Sequence, residues 1–211
     1  MKKHACVLIA LTLTGVLLSG CTSAPTDSSN DTASGAEAPI EPAPDTSATP
    51  GDGTDGFPTC GEVKAVLGPV VGGLIEIEES DNGVSTGSDG PSLGCAWFTP
   101  ETTGQRYDLG EYGGISIGVF RDPEFTEEST EPLGWNVDDP RVSAADAWAL
   151  KVGGNYNAAD QLDATGVQVV RDGIVVVLTS GGVVLQDVPQ LASLTNEWAL
   201  GAGVKILDLM E

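Results

Sequence analysis

Apolar side chains divide the chain into three stretches of different character. Val7 to Leu18 is a largely apolar run behind Lys2, Lys3 and His4, shorter than the roughly 20 residues a membrane-spanning helix needs. From Thr22 to Gly56 apolar character fades: there is no Lys, Arg or aromatic residue, and Ile40 is the one large aliphatic. Beyond Phe57 apolar positions return in periodic groups that predict folded elements.

Thr59 and Glu62 stand at capping-box spacing and predict a short helix to about Leu67, stopped by Gly68 and Pro69. Leu74 to Glu78 alternates like a half-buried strand, and the Gly/Asp/Ser-rich segment Ser80 to Ser92 reads as a loop. Leu93, Cys95 and Trp97 share one face of the next strand, as do Ile115, Ile117 and Val119 in the segment ending at Phe120. Arg121 to Asp146 is acidic and interrupted by proline, predicting an irregular excursion with at most a helical turn before Trp148 to Val152 returns to the sheet. Val167 to Arg171 and Ile174 to Thr179 flank Asp172-Gly173, the signature of a type I′ hairpin. Asp187 to Leu207 reads as the main helix, with Pro189 near its start, a stripe of Leu191, Leu194, Trp198, Ala202 and Ile206, and last turns weakened by Gly201 and Gly203. The order predicts an α+β fold: one antiparallel β-sheet with a short N-terminal helix and a longer C-terminal helix packed on it.

Residues 1–20 have the plan of a secretory leader: a positive start, a short apolar core and small residues at the cut. Leu18-Ser19-Gly20-Cys21 looks like a lipobox, which implies acylation of Cys21. Each buried CH₂ adds about 0.8 kcal/mol, and two or more chains make a durable anchor. The expected location is therefore the cell membrane, lipid-anchored on its extracytoplasmic face. Residues 21–56 then form the lipidated cysteine and a Ser/Thr/Pro/Asp-rich linker, too polar to offset chain entropy by burial. As a flexible coil the stretch from Thr22 to Gly56 spans about 30–35 Å, and fully extended roughly 115 Å. Its composition also suits an O-glycosylated stalk. Asp52-Gly53-Thr54-Asp55-Gly56 lacks the spaced ligands and closing Glu of a calcium loop.

Residues 57–211 are enough for a single globular domain with one core. Its Cys60 and Cys95, an even pair in an extracytoplasmic setting, read as a disulfide pinning the first helix to the Trp97 strand. Loss of Lys2 and Lys3 with the leader takes the formal charge from −22 to −24. Such acidity disfavours nucleic acid and anionic headgroups as partners. His4, the single histidine, also belongs to the leader. A mature chain without it has no Ser-His-Asp or Cys-His machinery and no histidine-based zinc site. The glycines lie in no nucleotide-binding context. No catalytic residue, metal ligand or cofactor is assigned.

Cys60, Leu67-Gly68, Cys95-Ala96-Trp97, the hairpin and the closing helix, together with the lipobox and leash, resemble the outline of actinobacterial cell-envelope lipoproteins of an uncharacterised family. The resemblance implies an α+β domain on the outer cell surface and transfers no catalytic residue.

Among the aromatics, Trp97, Trp198 and Trp148 read as core. Trp135 in Leu133-Gly134-Trp135-Asn136 and Tyr156 in Gly153-Gly154-Asn155-Tyr156-Asn157 lie in loops beside amides, which suits stacking on a sugar or contact with a peptide. Glu127, Glu128, Glu131, Asp138 and Asp139 read as a solvated acidic face, with calcium binding the alternative. The expected function is a non-catalytic binding or accessory module of the cell envelope, held by Cys21 to the membrane and meeting an envelope protein, a glycan or a small ligand. The alternative is a carboxylate-dependent hydrolase acting on cell-wall glycan.

Overall fold

A computed structural model describes residues 56–77, 82–103, 111–182 and 188–211. The leader, Cys21, and the leash up to Asp55 lie outside the described residues. The elements are α1 (Cys60–Leu67), β1 (Gly83–Gly87), β2 (Gly90–Phe98), β3 (Gly113–Arg121), α2 (Glu127–Thr130), β4 (Asn136–Val137), α3 (Pro140–Ser143), β5 (Trp148–Leu150), β6 (Val167–Arg171), β7 (Ile174–Gly182) and α4 (Asn196–Asp208). The strands form one antiparallel sheet in the order β1-β2-β3-β7-β6-β5-β4. The α+β class, the two helices and the disulfide follow the expectation from the chain. No helix among the described residues is long and apolar enough to cross a membrane.

Register explains the helix-covered face. Leu93, Cys95 and Trp97 of β2 lie opposite Val119, Ile117 and Ile115 of β3, which in turn face Val176, Leu178 and Ser180 of β7. Val167 and Val169 of β6 continue the row. Val63 and Leu67 of α1 and Ala199, Leu200, Ile206 and Leu207 of α4 close over it, joined by Leu191 and Leu194. Trp97 is fully buried, its indole N–H donates to Glu76 Oε1 at 3.2 Å, and Lys64 Nζ stands 6.0 Å from its ring centroid. Cys60 and Cys95 are joined by a disulfide that ties the first residue of α1 to the middle of β2. Thr59 caps α1 with both bonds of the capping box: its Oγ1 accepts from Glu62 N, and its N–H donates to Glu62 Oε2 at 2.8 Å. Asp172 and Gly173 both have positive φ, 51° and 73°, as a type I′ turn requires.

Four elements differ from expectation. Leu74 to Ile77 is not a strand of the sheet: Ile75 makes a single bridge to Phe98, and Glu78 lies outside the described residues. The outer edge of β2 is instead taken by β1, inside the stretch read as a loop. Between β1 and Ile75 the Asn82 amide completes the ladder, accepting from Ala96 N at 2.8 Å and donating to Ala96 O at 3.2 Å. The excursion after Arg121 holds more than one helical turn: α2, a 3-10 turn at Glu131–Leu133, α3 and the edge strand β4.

The main helix begins at Asn196, not near Asp187, which lies outside the described residues. Pro189–Leu191 forms a separate 3-10 turn. Leu194 and Thr195 are drawn into extended pairing instead: Leu162 N donates to Leu194 O at 2.7 Å, and Gln161 bridges Thr195. The N–H groups of Asn196 and Glu197, orphaned at a helix start, donate to Asp160 O and Ala158 O at 2.9 and 3.0 Å. Trp198, placed by the stripe in the core, is half-buried, and so is Trp148.

Candidate functional site

The face of the sheet away from α1 and α4 carries two kinds of residue. On β2 and β3 it presents Ser92, Gly94, Ala96, Ser116 and Gly118, with Phe120 at the end. Farther along it presents Val175, Val170, Gln168 and Leu150. Val170, Val175 and Leu150 are buried all the same, because the excursion after β3 folds back over this side. Its α2 lies against β5, Phe125 meets Trp148 at 5.3 Å between ring centroids, and Asp122 N donates to Gly173 O at 2.7 Å.

Where this flap ends, a depression of about 330 Å³ opens between it and the sheet. Phe120, Phe125, Leu133, Trp135, Leu150 and Val152 form its apolar lining, and Asp122, Ser129, Thr130 and Gln168 its polar groups. That size and that mix of apolar wall with few polar groups fit a small-ligand site. Among the described residues the exposed large apolar side chains are Leu133 (53%) and Leu209 (36%), and Leu133 lines this groove. Leu133 thus adds exposed apolar surface at the mouth of the groove.

Trp135 is held in place from its backbone. Its carbonyl accepts Lys151 N at 2.9 Å, and left-handed Gly134 ends the preceding turn. Gly154 abuts it at φ +73°, where a Cβ would stand 2.8 Å from Gly134 O and 3.5 Å from the indole Cδ1. A side chain at residue 154 would therefore displace the Trp135 loop. From the other side, Thr130 Oγ1 donates to Asn136 Oδ1 at 2.5 Å, and Asn136 Nδ2 donates to Glu127 O at 3.2 Å, tying α2 to β4. The Trp135 indole is half-buried, and its N–H has no partner among the described residues.

The second loop aromatic has a different setting. Tyr156 is half-buried against the core cluster and is not among the groove-lining residues. Its buried hydroxyl has no hydrogen-bond partner among the described residues. Burial raises its pKa, and the nearby carboxylates Asp139 and Glu197 add to the rise. Asp139 itself is engaged by Arg141, whose Nη2 lies 2.6 Å from Asp139 Oδ2, and that hydrogen bond holds the carboxyl below its usual range against the opposing effect of burial. Of the acidic face, Glu127, Glu128, Glu131 and Asp138 are exposed. Among the described residues no three His, Cys, Asp or Glu side chains are grouped to hold a metal ion.

Phe120, Phe125, Leu133 and Gln168 were not singled out from the chain. Phe120 carried a signal: it has the opposite parity to Ile115, Ile117 and Val119, so it must project from the face that those residues leave. Gln168 depends on pairing with Leu150 and Val177, which no local pattern encodes. No protein-family model, no curated protein and no solved structure matches this chain.

Proposed function

We propose that this protein is a lipid-anchored, extracytoplasmic accessory module of the cell envelope that binds a ligand in the Trp135 groove and catalyses no reaction. The observation that carries the reading is the groove: a half-buried indole whose N–H has no partner among the described residues, beside an exposed Leu133, on a loop fixed from both sides. The lipobox at Cys21 and the leash supply the address, and the resemblance to envelope lipoproteins agrees with it. Absence of histidine from the mature chain supports a binding role over hydrolysis by a Ser-His-Asp or Cys-His arrangement or by a histidine-bound zinc ion.

Co-sedimentation of the full-length protein, in detergent, with insoluble cell-wall fragments tests this. Trp135→Ala lowers the affinity at least about tenfold, as loss of a central aromatic contact does. Tyr156→Phe, which removes a hydroxyl outside the groove, leaves it unchanged. Binding that survives Trp135→Ala overturns the groove as the site. Release of soluble sugar from the fragments overturns the non-catalytic reading in favour of a hydrolase.

A further inference from the structure

We propose that the ligand is a linear, uncharged glycan chain that lies across the open face of the sheet, with the Trp135 groove holding one end of it. This rests on the groove being a binding site and extends it to a track.

Three depressions meet at one side chain. Phe120 lines the Trp135 groove. It also lines a hollow of about 580 Å³ over β1, β2 and β3, floored by Ser92, Gly94 and Gly118. It lines, thirdly, a hollow of about 730 Å³ between the β1–β2 hairpin and the turn at Asp122–Glu124. Asp122 is common to the groove and the hairpin hollow, and Ser85 and Ser92 are common to the other two. The three depressions therefore adjoin one another around Phe120 and reach from β1 to β5, with no β7 residue among their described linings. That crosses five strand spacings in the sheet order, about 24 Å at about 4.8 Å each. A compact ligand fills one such hollow, whereas a chain fills the series.

The floor selects the chemistry of the chain. Ser92, Gly94, Ala96, Ser116 and Gly118 are small, so the floor is flat and its polar groups are hydroxyls and an occasional amide such as Asn82. Peptides bound as an added strand are recognised by backbone pairing at a sheet edge together with pockets for alternate side chains. A sheet face offers no such pairing, and this floor has no row of pockets. Sugar units offer hydroxyls to the serines and an apolar ring face to Phe120 and Trp135. Charge decides the rest. Asp89, Asp122 and Glu124 stand at the hairpin hollow, and the chain carries a formal charge of −22. Its one lining cation, Arg121, is stacked 4.7 Å from the Phe57 ring centroid. Anionic polymers are repelled from such a surface, and the described lining of the hollow over β1, β2 and β3 has no carboxylate to pair a cationic chain, so the floor suits an uncharged one.

Isothermal titration of the full-length protein in detergent with N-acetylglucosamine oligomers, from dimer to hexamer, tests the track. Affinity rises about tenfold or more with length and changes little with salt, as expected where charge does not drive binding. Phe120→Leu, which keeps an apolar side chain, removes most of the gain for the hexamer and spares the dimer. Gly118→Leu does the same by raising the floor. Its backbone has no positive φ and a Cβ there meets only Val177 at 3.9 Å, so the backbone accepts a side chain at this position. Equal affinity at every length, abolished by Trp135→Ala, overturns the track and leaves the groove. Absence of binding by every oligomer overturns the glycan assignment, while Trp135-dependent retention on wall fragments would still uphold the groove. Tighter binding of an anionic polymer or an unstructured peptide also overturns it.

Discussion

Lys151 is one of the few charged side chains in the interior, and its surroundings show how the fold holds a charge there. The side chain is 7% exposed, and burial of an ammonium is costly unless it is paired and hydrogen-bonded. Its Nζ donates to Asp163 Oδ1 at 3.0 Å, Thr165 Oγ1 at 3.1 Å and Gly166 O at 3.4 Å. Burial pushes the Asp163 carboxyl upward, but hydrogen bonds from Thr165, Lys151 and the Gly166 N–H outweigh it and hold the group at about 2, below the ordinary 3.8. A carboxyl with a depressed folded-state pKa stabilises the protein above its unfolded value, and that contribution is lost as pH falls from about 4 through about 2. Urea unfolding midpoints are therefore expected to drop over this window in the wild type. In Asp163→Asn the stability at pH 7 is lower and the drop is shallower; parallel pH profiles for the two proteins would refute the assignment. Asp163 keeps half its side-chain surface exposed, so solvent screening makes the effect modest.

The closing helix shows where local and tertiary demands part. By propensity Gly201 and Gly203 are equivalent defects, each costing about 1 kcal/mol against alanine. In the fold they are opposites. A Cβ on Gly201 meets nothing within 4 Å, while one on Gly203 would lie 2.5 Å from Val169 Cγ2 and 2.9 Å from Val169 Cβ on the sheet beneath. Gly203 is thus a point of close approach between α4 and β6. Gly201→Ala should raise stability by up to about 1 kcal/mol, and Gly203→Ala should lower it by about 1–3 kcal/mol through overpacking, both read from urea unfolding. Equal effects would show that helix propensity alone governs the site. Other elements were legible for an equally specific reason. The α1 capping box and the Asp172-Gly173 turn are short-range devices whose residues make their own bonds. β1 was not, because Val84 and Thr86 become a strand through the free edge of β2 that they occupy. The start of α4 was not either, because the partners that end the extended segment at Thr195 lie some 35 residues earlier, at Ala158, Asp160 and Gln161.

At the scale of the whole molecule, the proposal joins a domain with one open sheet face to a membrane through Cys21 and a leash of some tens of ångströms. Cys21→Ala is expected to leave the protein unprocessed or to release it from the membrane fraction, followed by fractionation and intact mass. A processed, membrane-bound form without acyl mass would refute the anchor. The acidic surface suits this setting by keeping the domain apart from anionic headgroups, and it narrows the ligands that reach the open face.

By itself the amino-acid sequence determined what depends on near neighbours. Parity along β2 and β3, capping at Thr59, the hairpin turn and the cysteine pair each follow from residues a few positions apart or from composition, and all are present in the fold. Trp135 could be singled out as a loop aromatic, but its partners could not. Phe120, Leu150 and Gln168 join it in lining the groove from three strands, and the flap over them is held where Phe125 meets Trp148 and Asp122 meets Gly173. Those contacts join residues 23 and more positions apart, so tertiary pairing rather than any local pattern decided that this side of the sheet would carry a site.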